Sequence, residues 1–85
     1  MAKLKFDRSI NIVLQAKEEV KVPKDEVWKV GLTGGNVQIN NFNVTDYTAR
    51  YAYVPGVLLG GGTSVLNYNP GQPCSLTGVA FKVIN

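Results

Sequence analysis

Eighty-five residues with a single cysteine, no histidine and a formal net charge of +3 exclude several ways of building and using a small protein. An intrachain disulfide needs a second cysteine, and one thiol among scattered carboxylates does not make the four-ligand site of a small zinc domain. Where a lone core leaves little surplus over chain entropy, oligomerisation is the outside support that remains, and a chain without the commonest general base points away from enzyme chemistry.

No window carries a sustained helical repeat, and short runs rich in Val, Ile, Tyr and Phe recur between Gly, Asn, Asp and Pro clusters. Ile10, Ile12 and Leu14 alternate with polar or smaller neighbours; at most one helical turn fits Ala16 to Glu19, because Val20 and Val22 alternate again before Pro23. Pro23-Lys24-Asp25-Glu26 reads as a turn. Trp28, Val30 and Leu32 share one face of the next strand, with Lys29 on the other, and Gly34-Gly35-Asn36 closes it. Val37 and Ile39, then Phe42 and Val44, flank Asn40-Asn41 and read as two short strands or one bent strand. Tyr47, Ala49, Tyr51 and Tyr53 fall on one face of a strand that Pro55-Gly56 is expected to stop. Val57-Leu58-Leu59 runs into Gly60-Gly61-Gly62, Thr63 to Leu66 follows, and the loop Asn67 to Pro73 precedes a last strand. There the bulky Val79, Phe81 and Val83 are expected inside, Lys82 outside, and Gly78 kept small.

Turn signals every eight to twelve residues predict an all-β chain of about seven to eight short antiparallel strands. The fold class is a small jelly-roll-like β-sandwich or compact barrel, and residues 1–85 are expected to form one domain. The opening Met1-Ala2-Lys3-Leu4-Lys5 and the lack of a long apolar stretch predict synthesis in the cytoplasm and no membrane insertion.

Charge is unevenly distributed. Seven of the nine basic residues lie between Lys3 and Lys29, whereas Tyr51 through Phe81 holds no charged side chain at all. A small domain cannot bury all of that stretch, so part of it is expected to face another subunit, against the plainer reading of a polar but uncharged surface. The candidate contact residues are Tyr47, Tyr51, Tyr53, Val57 and Tyr68, which serve either a subunit interface or a glycan, since tyrosines on one strand face present apolar rings with polar tips. Asn40-Asn41-Phe42-Asn43 and Asn67-Tyr68-Asn69 supply hydrogen-bonding partners for the glycan alternative. A second alternative is a small barrel binding single-stranded nucleic acid, favoured only by Lys3, Lys5 and Arg8 with Phe6 interleaved.

The residues of enzyme chemistry take structural readings. Cys74, between Pro73 and Ser75, is expected to be a small semi-buried thiol, and Glu18-Glu19 and Asp25-Glu26 are expected to be solvated charges. Gly60-Gly61-Gly62-Thr63 lacks the lysine of a phosphate loop and a following helix, so a turn or a close backbone approach is expected. No catalytic residue, cofactor or metal site is expected.

The segment Val20-Lys21-Val22-Pro23-Lys24-Asp25-Glu26-Val27-Trp28-Lys29-Val30 resembles small structural proteins of tailed bacteriophages and prophages, in which a strand ending in Val-Pro is followed by a polar turn and a strand beginning Val-Trp-Lys-Val. Leu76 to Ile84 is similar to the last strand of such chains, and Leu58 to Thr63 to their glycine-rich segment. The resemblance implies a non-enzymatic virion component made in the host cytoplasm: a capsid decoration protein, or a baseplate or fibre accessory. It also implies a homotrimer that docks on a larger lattice or baseplate, with a host glycan as a further partner.

Overall fold

A computed structural model describes residues 3–34, 36–44, 53–68 and 71–84, and among these it contains eight strands and no helix. The strands are β1 (Lys3–Leu14), β2 (Glu19–Lys21), β3 (Glu26–Thr33), β4 (Val37–Ile39), β5 (Phe42–Asn43), β6 (Tyr53–Leu59), β7 (Ser64–Asn67) and β8 (Cys74–Ile84). They form two antiparallel four-stranded sheets, the first in the order β1-β8-β3-β6 and the second in the order β2-β7-β4-β5.

One rule generates both orders. β1 pairs with β8, β2 with β7, β3 with β6 and β4 with β5, so the chain is one long hairpin. The tip of that hairpin is Asn40-Asn41, both at positive φ (49° and 70°), the signature of the type I′ turn whose twist matches its flanking strands. Rolling the hairpin brings β3 onto β8 and β4 onto β7. The result is a jelly roll.

Period-two alternation sorts side chains between core and solvent. Ile10 and Leu14 of β1, Trp28, Val30 and Leu32 of β3, Val37, Leu59 and Val65 are all buried, with Ile12, Val20, Ile39, Val54 and Val57 packed around them. On β8 the alternation is the reverse of that expected. Cys74, Leu76 and Ala80 are buried, while Val79, Phe81 and Val83 lie half-buried on the outer face. The cause is volume: Ala80 pairs with Trp28 and Gly78 with Val30, so large residues of β3 occupy the space beneath small residues of β8. A Cβ at Gly78 would collide with the Lys29 carbonyl oxygen and come within 2.8 Å of the Val30 Cα, which leaves no room for a side chain.

Pro55-Gly56 does not stop a strand either. Both residues lie inside β6, where Val30 pairs with Val57 and Leu32 with Val54, so that Pro55 and Gly56 together face Gly31 in a bulge with Gly56 at φ 69°. β6 is an edge strand, where a proline without an N–H is tolerated. Gly31 leaves room for the Tyr53 ring, which lies across it.

Residues Gln15 to Glu18 form a turn, with Lys17 at φ 66° and Glu18 N–H donating to the Gln15 carbonyl. Gly61 and Gly62 turn the chain as expected, and Gly61 packs against the Lys24 backbone. Buried Asn67 locks one end of the sandwich, donating to the carbonyls of Leu14 (2.9 Å) and Gln72 (2.8 Å).

Candidate functional site

Two features stand out at the Lys3–Ile84 end of the first sheet, one on each of its faces. Both follow from a bulge in β1. Phe6 pairs with Phe81 and Arg8 with Ala80, so Asp7 is an extra residue and the strand exchanges faces there. Leu4 and Phe6 consequently point outward, whereas Arg8 points inward.

On the outer face, Leu4 stands beside Val83, and Phe6, Phe81 and Val27 form a row across β1, β8 and β3. Val79 extends the row toward Lys29, and Leu58 of β6 stands beyond it. Phe6 and Phe81 meet edge to face, with ring centroids 6.5 Å apart at 81°. Leu4, Phe6 and Leu58 are 56%, 58% and 68% exposed, with the exposed Lys29 standing between Leu58 and the apolar side chains of β8.

On the inner face, Glu26 is buried, correcting its expected role as a solvated charge. The Arg8 guanidinium grips it with two bonds, Nη1 to Oε2 at 3.1 Å and Nη2 to Oε1 at 3.0 Å. Trp28 Nε1 donates to Oε1 at 2.8 Å and Lys82 Nζ to Oε2 at 2.9 Å. Arg8 also bonds Asp7, and Lys82 bonds Asp25. The Arg8 bonds, followed by those from Trp28 and Lys82, outweigh desolvation and hold the Glu26 carboxyl at about 2, below its ordinary 4.5. The same bonds raise Arg8 and Lys82. This network ties β1, β3 and β8 together directly behind the apolar patch, and each Glu26 oxygen accepts two bonds. Such saturation suits a clamp, because a carboxylate so far below neutral is a poor general base.

The structure disperses the residues that the sequence grouped as a contact surface. Tyr47 and Tyr51 lie outside the described residues. Tyr53 is exposed on the outer face of the first sheet, Val57 packs against the core, and Tyr68 follows the last strand residue of β7 in the second sheet. The Tyr68 ring lies under the Lys17 ammonium at 3.9 Å, and its carbonyl accepts from the same group. Phe6 faces away from its neighbours Lys3 and Lys5, as alternation along β1 requires.

At the other end of the first sheet, Val13, Thr33, Gly34, Pro73, Cys74 and Ser75 line a shallow depression of about 280 Å³. Cys74 is almost completely buried there, and burial pushes its thiol up. Among the described residues, no group of three or more Cys, Asp or Glu side chains is placed to hold a metal ion. Comparison with family models, with curated proteins and with solved structures gives no match.

The outer patch was missed in the sequence because its bulky β8 residues were assigned to the core. The available signal was Leu4 and Phe6 alternating with Lys3 and Lys5 in a terminal strand.

Proposed function

We propose that this chain is a non-enzymatic structural protein that self-associates through the outer face of its first sheet and docks on a larger assembly. A virion of a tailed phage or prophage is the setting its resemblance implies. The observation that carries the reading is the apolar patch of Leu4, Phe6, Val27, Phe81, Val83 and Leu58, braced from behind by the Glu26 network. A stable interface covers about 800 Å² per partner around an apolar centre, and Leu4, Phe6, Phe81 and Val83 have the composition of such a centre. Jelly rolls serve in viral capsids and in lectins alike, so the fold does not choose between them; on this face Lys29 and Ser9 are the polar groups beside mainly apolar side chains, a balance that favours protein contact.

Light scattering at several protein and salt concentrations tests it. The expected result is a closed oligomer that persists in high salt, since apolar contacts are not screened. Phe6→Asp and Leu58→Asp, both at exposed positions, are expected to lower the mass while leaving fluorescence of the buried Trp28 unchanged. A monomeric native chain, or unchanged mass in both variants, overturns the proposed contact.

A further inference from the structure

Sheet edges expose unpaired N–H and C=O groups, and proteins blunt them with short strands, charges, prolines or bulges. Of the four strands that end the two sheets, β2 and β5 have three and two residues. β6 carries Pro55 and its bulge. The first half of β1 carries Lys3, Lys5, Arg8 and the bulge at Asp7. Ser9–Leu14 has none of these devices. It is uncharged, and its pairing with β8 runs unbroken from Ser9 opposite Val79 to Leu14 opposite Cys74. Among the described residues, no backbone hydrogen bond from another strand reaches the opposite side of this segment, and at its end the Leu14 carbonyl accepts from the Asn67 side chain.

We infer that Ser9–Leu14 is a second contact surface, on which the β1 strands of two copies of this chain pair antiparallel about a two-fold axis at Asn11, joining two four-stranded sheets into one. The inference rests on the reading of the chain as self-associating, but it uses a surface separate from the apolar patch. A second copy fits because the segment is self-complementary. Directly opposed residues in an antiparallel pair share a face, so Asn11 meets Asn11 of the second copy. Ile10 meets Ile12 on the core side, Ser9 meets Val13 outside, and no like charges are opposed within the segment.

Cysteine scanning tests the register. Asn11→Cys places two thiols across the axis at a spacing that a disulfide spans, whereas a cysteine at Ser9 faces valine, and native Cys74 is buried. Mild oxidation is expected to convert Asn11→Cys into a covalent dimer and to leave Ser9→Cys uncrosslinked. Asn11→Lys, at an exposed position, is expected to reduce the solution mass at least twofold with native Trp28 fluorescence. An oligomeric native chain whose Asn11→Cys variant stays uncrosslinked and whose Asn11→Lys variant keeps its mass overturns the edge contact alone. A monomeric native chain overturns both this inference and the self-associating reading. Loss of mass in Asn11→Lys together with unchanged Phe6→Asp and Leu58→Asp supports the edge and removes the patch.

Discussion

Glu26 couples the stability of the fold to pH. Its carboxyl is depressed to about 2 from an ordinary 4.5, so folding favours the ionised form, and the resulting stability is complete above pH 4.5 and lost as pH falls toward 2. Because the network opens to solvent through the half-exposed Arg8 and Lys82, screening reduces the contribution to about 2 kcal/mol. Thermal unfolding followed between pH 7 and 2 is expected to show that loss. Glu26→Gln is expected to be less stable at pH 7 and to flatten the slope below pH 4.5; a slope equal to that of the native chain would assign the acid sensitivity elsewhere. Glu26 was read as a solvated turn residue, although it continues the inward series Trp28, Val30, Leu32 by one step of two. Arg8 was not legible, because the Asp7 bulge breaks the alternation of β1 and because β1 and β3 are brought together only through β8.

Among the elements, the β4–β5 turn offers the cleanest contrast. Asn40 and Asn41 both adopt positive φ, and the Asn40 side chain is used, its Oδ1 accepting from Ser64 N–H at 3.0 Å. Asn41→Gly relieves the left-handed conformation and gives the favoured Asn-Gly pair, so it is expected to raise stability by roughly 0.5 kcal/mol. Asn40→Gly removes a hydrogen bond and is expected to lower stability by about 1 kcal/mol. Denaturant midpoints of the two variants should move in opposite directions. The sequence left two short strands or one bent strand open here, and the left-handed pair Asn40-Asn41 decides for two strands joined by a turn. The errors at β6 and β8 have a shared origin: Pro55-Gly56 reads as a stop unless the strand is known to be an edge, and Val79-Phe81-Val83 reads as a core face unless Trp28 is known to fill the space below.

For the whole molecule, the rolled hairpin makes the two ends of the chain partners, Lys3 facing Ile84, so most of its pairings span long loops and refolding is expected on the millisecond-to-second scale. Amide hydrogen exchange is expected to be slowest in β8, β3 and β7, each flanked by strands on both sides, and fastest in β2 and β5. Protection as strong in β5 as in β8 would count against the topology. The same arrangement bears on the uncharged stretch from Tyr51 to Phe81. It supplies β7 and most of β8, interior strands of the two sheets, along with β6, where Leu58 and Tyr53 remain exposed. Interior position thus accounts for much of the missing charge without a partner.

The sequence by itself determined the all-β class, the number of strands, most turns and the inward faces of β1 and β3, because alternation and turn chemistry act over a few residues. Only the tertiary structure decided which face of β8 is inside, that Pro55 lies within a strand, and that Arg8 closes on Glu26. Each of these depends on the volume or charge left open by a strand distant in the chain, and a local period of two carries no information about which side that is.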